Sequence, residues 1–352
     1  MSSMGNLQVK VAIPRSEQLS LRNFVFGETE IPTAEKGAIV VRNQYFTVDP
    51  GIAQRLIHGG DYLTPLEAGT VVPSFNVGRV TESGSSDFAV GDAVVHYGGW
   101  EQYSAIDVAG RTPDIFSLRK IEAEDVPLSH HLGILGNKGF SAFLGIEHLG
   151  EVQAGETVIV SAAAGAVGGY AGQWARLLGA RVIGLTRTPK KATYIRSELQ
   201  FDAALNCRAA DFEDGLDGVA PDGIDVYFDN VGGPLQSSIM DRMRRGGRFL
   251  ICGMISEYTA QEPVPGPNLF VTVRRNFRIQ GFLATYYKNL FPDFLTRATA
   301  LVANDALGVR EQIVDGLRQA PAALLGLFDG QNVGQCIVED ASDPGTAAGA
   351  SV

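Results

Sequence analysis

The sequence predicts an α/β protein in which a partly open β-barrel is joined to a doubly wound parallel sheet. Three observations carry that prediction. The chain has 352 residues, which suits two or three domains at roughly 100–200 residues each. Residues up to about 120 hold short β-rich runs bounded by turn residues. From near residue 125, strand and helix patterns alternate with near-continuous apolar strands, the pattern of parallel strands joined by crossover helices.

The elements follow in order. Val9–Ile13, Gly37–Arg42 and Asp92–His96 are β-rich runs between Gly, Pro, Asp or Glu. Asp49-Pro50-Gly51 is a turn, and Phe88–Asp92 is a tight lead into a strand. Leu128 to Leu149 carries helix-like apolar spacing, broken by Gly133, Gly136 and Gly139. Glu156–Ser161 is a strand, Val167–Leu178 a helix, Ala180–Leu185 a strand and Pro189–Leu199 a helix. Ala203–Leu205, Ile224–Asp229, Gly247–Cys252 and Phe277–Gly281 continue the strands. Pro292 to about Asn304 reads as a long helix and Gln335–Glu339 as a last strand. The tail from Asp340 to Val352 is rich in Ala, Gly, Ser and Asp and is expected to fray.

Composition narrows the function. Apolar residues make up 45% and charged residues 19%, which is the balance of a globular chain with large cores. A net charge of −10 without a basic block argues against binding nucleic acid or anionic lipid through bulk charge. No apolar run approaches the ~18 residues of a membrane span. The first residues lack a basic stretch followed by an apolar one, which argues against secretion. Cys207, Cys252 and Cys336 are odd in number and far apart, so they read as reduced thiols of a cytoplasmic protein. Glycine is in excess, at 42 of 352 residues, about 12% against a usual 7%. Such a chain needs tight turns or close backbone approaches.

Ser161-Ala-Ala-Ala-Gly165-Ala166-Val167-Gly168 supplies one reason for the excess. It follows an expected strand and opens an expected helix. Gly165 lets the backbone turn toward a pyrophosphate, and Gly168 lets the helix pack on the strand. The helix N-terminus offers N–H groups and a positive dipole end to phosphates. The next strand ends in Thr186, Arg187 and Thr188, with Lys190 and Lys191 behind. No Asp or Glu stands there to hold a ribose 2′-OH, and the cations suit a 2′-phosphate, so the cofactor is expected to be NADP rather than NAD.

On these residues the chain resembles the medium-chain dehydrogenase/reductases. Within them it is similar to the zinc-free leukotriene B4 dehydrogenase / prostaglandin reductase / curcumin reductase group. The words that carry the resemblance are Thr47–Pro50, Phe88–Asp92, Leu132–Gly136, Ala163–Gly168, Tyr227–Gly233, Ile251–Ser256 and Gly330–Gly334, spread from about Tyr45 to Val338. The resemblance implies a GroES-like catalytic domain over residues 1–125 and 310–352, a Rossmann NADP-binding domain over 126–309, and a homodimer through the Rossmann domains. It places Gly165, Ala166, Val167 and Gly168 at the pyrophosphate. Thr186, Arg187, Lys191 and Arg208 fall near the 2′-phosphate. Asn230, Cys252, Gly253, Met254, Ile255, Ser256, Tyr258, Phe282, Leu283, Ala284 and Asn332 line the adenosine and nicotinamide halves. Bottom-up, Asn230, Cys252 and Phe282 each end or follow an expected parallel strand, where ligands sit.

Zinc-bearing relatives use an early Cys, a Gly-His-Glu and a four-Cys lobe. Here Asp49-Pro50-Gly51 and Gly69-Thr-Val-Val72 offer no thiol or imidazole, and three cysteines cannot make a four-thiolate site. No metal is expected. Adjacent His130 and His131 point about 100° apart on a helix, which suits structural roles better than chelation.

The resemblance implies NADPH-dependent reduction of the activated C=C bond of an α,β-unsaturated ketone or aldehyde, by hydride transfer to the β-carbon. An enolate oxygen then needs a hydrogen-bond donor and the α-carbon a proton. The family's tyrosines for this work are replaced. Gly51 stands after Val-Asp-Pro, Arg274 precedes the Gly281–Phe282 segment, and Cys207 lies near the 2′-phosphate. The family's apolar Met-Pro-Gly is Asn137-Lys138-Gly139. Lys138 or Asn137, with Tyr258, is the candidate donor. Tyr45, Gly51, Trp100 and Tyr286 are the substrate-pocket candidates, with Gly51 widening the entrance for a bulkier, hydrophobic substrate. A quinone or secondary-alcohol oxidoreductase and a non-catalytic NADPH-binding protein are the alternatives.

Overall fold

The computed structural model describes residues 5–58, 64–108, 118–122 and 126–341. The chain sorts into two compact units, Met1–Glu124 with Ile313–Leu327 and Cys336–Val352, and Asp125–Gln312 with Phe328–Gln335.

The first unit holds β1 (Asn6–Val11), β2 (Phe24–Thr29), β3 (Ala38–Thr47), α1 (Gly51–Ile57), β4 (Pro73–Ser83), β5 (Ala93–Gly99), β6 (Tyr103–Asp107) and β7 (Leu118–Lys120). β1 and β2 form an antiparallel pair. β3, β4, β5 and β7 run antiparallel in one sheet, with β6 on β3. Alternate residues Ile39, Val41, Val80, Val94, Ile106 and Leu118 make its apolar cluster.

The second unit begins with a 3₁₀ turn at Leu128–Leu132, α2 (Asn137–Phe143) and a π turn at Leu144–Leu149. It continues through β8 (Thr157–Val160), α3 (Ala166–Leu177), β9 (Arg181–Thr186), α4 (Pro189–Ser197) and β10 (Ala203–Asn206). Next come α5 (Phe212–Val219), β11 (Ile224–Asp229), α6 (Leu235–Met240), β12 (Met243–Ile251), α7 (Phe270–Arg275), β13 (Arg278–Gly281) and α8 (Phe291–Ala303). β14 (Glu311–Asp315), α9 (Ala320–Asp329) and β15 (Gln335–Glu339) close the chain, the last joining the antiparallel sheet beside β3. The six parallel strands are ordered β10-β9-β8-β11-β12-β13. Strand order therefore reverses between β8 and β11, and a doubly wound sheet binds ligands at the carboxyl ends of such a pair.

The helix-like stretch Leu128–Leu149, broken in the sequence by Gly133, Gly136 and Gly139, forms three pieces. Gly136 is extended (φ −122°, ψ −158°) and starts α2 afresh. The π turn lets Glu147 accept from Trp174 Nε1 (2.8 Å) and pair with Arg297 (2.6 and 2.9 Å). These bonds close over Phe140, Phe143, Trp174 and Phe294, whose rings pack 5.3–6.2 Å apart. β2 and α7 carry no clear period and were not expected; contacts with β1 and β12 hold them. Asp340, expected to fray, is buried and pairs with Arg42 (2.9 Å); residues 342–352 of the tail lie outside the described residues. Phe328–Gln335, expected with the barrel, sorts with the second unit because Gly334 N donates to Ala164 O (2.8 Å).

No helix among the described residues is long and apolar enough to cross a membrane.

Candidate active site

The glycine loop after β8 is built by close approach. Ser161 N donates to Phe228 O (3.1 Å) and Ala163 N to Leu185 O (3.1 Å), so both neighbouring strands hold it. Ala162 adopts φ +49°, and Gly165 N closes back on Ala162 O (2.9 Å). A Cβ on Gly168 would stand 2.6 Å from Ala162 O, a backbone atom that cannot swing away. Gly165 caps α3 without a side-chain bond, and the first turn has no acidic residue. Its leading N–H groups have no intrahelical acceptor, which fits a pyrophosphate.

Asp229 organises the far side of the switch point. Its Oδ1 accepts from Ser161 Oγ (2.9 Å), Tyr227 Oη (3.0 Å), Val231 N (2.9 Å) and Gly232 N (3.2 Å). Its Oδ2 accepts from Gln236 Nε2 (2.9 Å). Asn230 Nδ2 donates to Ser161 O (2.9 Å) and its backbone N to Ser161 Oγ (2.8 Å). Neither Ser161 nor Asp229 was a candidate from the sequence; an acid ending an apolar strand was the available signal. The Cys252–Tyr258 turn docks on the same loop through Cys252 N and Gly253 N to Asp229 O, Ile255 N to Asn230 O and Ser256 N to Val231 O. Met254 fills the space beside Gly232, and Tyr258 Oη lies 3.1 Å from where a Gly253 Cβ would be. Phe282 follows β13, with N donating to Ile251 O (3.3 Å) and its ring edge-on to Phe228. Leu283 is half-buried and Ala284 buried behind it. Burial pushes the Cys252 thiol up to about 12 and raises Cys207, which disfavours the reactive thiolate at both.

Beyond β9, Thr188 caps α4 by accepting from Lys191 N (3.3 Å), and Pro189 takes the first helical position. Lys190 and Lys191 thus sit in a first turn with no acid, against the helix dipole. Arg187 donates to Phe328 O (3.2 Å) and lies against Gly330, whose φ of +70° and missing side chain admit the guanidinium. Burial, with Arg187 beside it, lowers the Lys191 ammonium to about 8. Two adjacent cations without an acid between them fit a dianionic phosphate. Thr186 is buried, with Oγ1 donating to Thr188 O (3.2 Å), while Arg208 is exposed. Asn332 Nδ2 donates to Gly334 O (3.0 Å), beside the Gly165 bridge. Most of the residues expected at the cofactor thus lie at or just beyond the carboxyl ends of β8, β9, β10, β11, β12 and β13.

Lys138 is half-buried in the first turn of α2. Asn137 beside it has a buried Oδ1 without a hydrogen-bond partner among the described residues. Tyr286 is 80% exposed. Arg274 lies on α7 and pairs with Asp241 (3.8 Å). His130 and His131 stand on the 3₁₀ turn, and His130 Nε2 is 4.0 Å from Glu311 Oε2.

In the first unit, no atom of the described residues stands within 4 Å of a Cβ built on Gly51. Trp100, expected at the substrate, is a correction: it is fully buried, its indole N–H donates to Thr47 O (3.0 Å), and Phe24 packs on it. A large ring with one donor satisfied inside the sheet serves the core. Tyr45 Oη donates across the sheet to Glu339 (2.9 Å). Among the described residues, no group of three or more His, Cys, Asp or Glu is placed to hold a metal.

Comparison with known proteins places the chain among oxidoreductases. Residues 14–113 match the N-terminal domain of oxidoreductases, and residues 166–300 match the family described as zinc-binding dehydrogenase. The chain is 36% identical to the NADP(+)-dependent 2-alkenal reductase of Nicotiana tabacum, over 92% of this chain and 93% of that one. It is 36% identical to (+)-pulegone reductase of Mentha piperita, over 88% and 90%. The crystal structure of CurA from Vibrio vulnificus in complex with NADPH superposes with a TM-score of 0.89 at 31% identity, over 96% of this chain and all of that one.

Proposed function

Because the chain belongs to the zinc-free medium-chain dehydrogenase/reductases, we propose that it reduces the activated C=C bond of an α,β-unsaturated ketone or aldehyde with NADPH. The observation that carries this reading is its likeness, along 92% of the chain, to an NADP-dependent alkenal reductase. The glycine loop and the Arg187–Lys191 pair support the cofactor from this chain's own residues. When bound there, NADPH supplies a hydride to the β-carbon of the substrate.

The protein's part is to hold charge and protons in place. Negative charge develops on the substrate carbonyl oxygen, and a fixed donor there lowers the barrier. We assign that donor to Lys138, with the Asn137 carboxamide beside it, and keep Tyr258 as the hydroxyl near the Gly253 turn. Gly51, in place of the family's tyrosine, supports a bulky, hydrophobic enone. The test follows the loss of NADPH absorbance with an enone, an enal, a quinone and, in reverse, a secondary alcohol. Enone or enal turnover with NADPH preferred over NADH is expected; turnover of the quinone alone would overturn the reading. Lys138→Met is expected to lower kcat by about a hundredfold, the usual size of a lost oxyanion donor. Unchanged turnover at saturating NADPH would remove Lys138 from the mechanism.

We also assign a homodimer through the second unit. β13 is an edge strand of the parallel sheet, and Leu269, Phe270 and Val273 at neighbouring α7 are 60–70% exposed. An apolar patch beside an open edge suits a second copy. Light scattering is expected to give twice the chain mass, and Phe270→Asp a shift toward monomer.

A further inference from the structure

Glu311 opens β14 and is half-buried against a segment 182 residues away. Its Oε2 accepts the Ser129 Oγ–H at 2.6 Å, and its Oε1 is buried with no hydrogen-bond partner among the described residues. From the next residue, a run of backbone bonds leads toward the candidate donor. His130 O accepts from Gly133 N (3.1 Å) and Leu135 N (2.9 Å); Gly133 O accepts from Gly136 N (3.1 Å) and Gly139 N (3.0 Å). Gly136 and Gly139 flank Asn137 and Lys138. The segment is thus tied to Glu311 at one end and to the first turn of α2 at the other.

Its other face has little slack. A Cβ on Gly133 would stand 3.0 Å from Tyr170 Oη and 3.5 Å from Gln335 Cγ. The strand carrying Glu311 is registered on the glycine loop as well. Arg310 O accepts from Gln335 N (2.9 Å), and Gly334 N donates to Ala164 O (2.8 Å).

We propose that Glu311 is a positioning residue: through Ser129 it sets the Leu128–Gly136 segment, and with it Asn137 and Lys138, relative to the glycine loop. The role rests on the function proposed above. Burial raises the Glu311 carboxyl and lowers the His130 imidazole, which favours a neutral acid beside a neutral ring. Glutamine is therefore its nearest mimic: its carbonyl oxygen still accepts from Ser129.

The test compares Glu311→Ala, Glu311→Gln and the milder Ser129→Ala in the full chain. Three readouts are taken: kcat with an enone, the emission of bound NADPH and the melting temperature. Glu311→Ala is expected to lower kcat about tenfold or more, the scale of a displaced reacting group, and to alter bound-NADPH emission. Ser129→Ala changes both in the same direction, and Glu311→Gln restores both to within about twofold of wild type. A loss confined to melting temperature, or wild-type kcat and emission in Glu311→Ala, overturns the role. If the wild type binds NADPH but reduces no enone, the proposed function fails. The emission then decides the positioning role alone: changed in Ala and restored in Gln supports it, and unchanged in Ala overturns it.

Discussion

In the antiparallel unit, Asn43, Ser74, Asn76, His96 and Ser104 are all buried inside the sheet, whereas the parallel sheet buries Val158, Ile159, Val160, Val182, Ile183, Val226 and Phe228 along its strands. The second unit places its polar groups, Ser161, Thr186, Asp229 and Asn230, where the strands end. The first unit satisfies polarity internally. Asn43 Nδ2 donates to Glu101 O (2.8 Å) and Ser104 Oγ (2.9 Å), so its Oδ1 accepts from His96 Nε2–H (2.7 Å). Asn76 Nδ2 donates to Gly99 O (2.9 Å). A parallel strand covered on both faces fits its buried polar side chains best at its carboxyl end. Its strand ends therefore gather the polar side chains, while the antiparallel interior uses polar bonds as structure.

The largest expected effect would break the strand-end side of this comparison. Gly168→Val drives a branched side chain into Ala162 O, and strain of about 3 kcal/mol would weaken NADPH binding roughly a hundredfold. Titration calorimetry measures it; affinity within threefold of wild type would remove the loop from the cofactor site.

The second effect sharpens the polar-interior side. Burial lowers His96 to about 4 from an ordinary 6.5. The folded ring stays neutral while the unfolded one takes a proton as pH falls below 6.5. Stability is thus lost between pH 6.5 and 4, by about 3 kcal/mol in all. Urea unfolding across that range reads it, and a His96→Gln chain is expected to show the flatter slope. Equal slopes would refute a buried neutral His96.

The smallest effect is a single charge at a strand end. Lys191→Met is expected to weaken NADPH about tenfold at neutral pH, the lower range for a charge-assisted hydrogen bond, and to leave NADH unchanged. Wild-type NADPH affinity is expected to fall as pH rises through about 8, where the ammonium, lowered to about 8, loses its proton; the variant is expected to show no such fall. Equal losses for NADH and NADPH would place Lys191 away from the 2′-phosphate.

Features that are local in the chain were legible in the sequence. The strand–Gly165–helix turn, the acid-free end of β9 with Arg187 and Lys191, and the alternation of β8 through β12 each lie within a few residues. Their physics is that of one backbone turn, one helix cap or one period. The broken helix was half legible: Gly133, Gly136 and Gly139 were visible, but Gly139 is required because a Cβ there would run into Ile134 O. Trp100 was misplaced for the same kind of reason. Nothing near it in sequence shows that Thr47 and Phe24 enclose it. Tyr45 and Glu339 meet across 294 residues, and Ser129 and Glu311 across 182. By itself the sequence determined the periods, the caps and the strand-end cradle, because those energies depend on neighbours along the chain. Burial, the pairing of buried polar groups and the setting of Lys138 were decided only by the tertiary structure, because each depends on which distant residue removes the water.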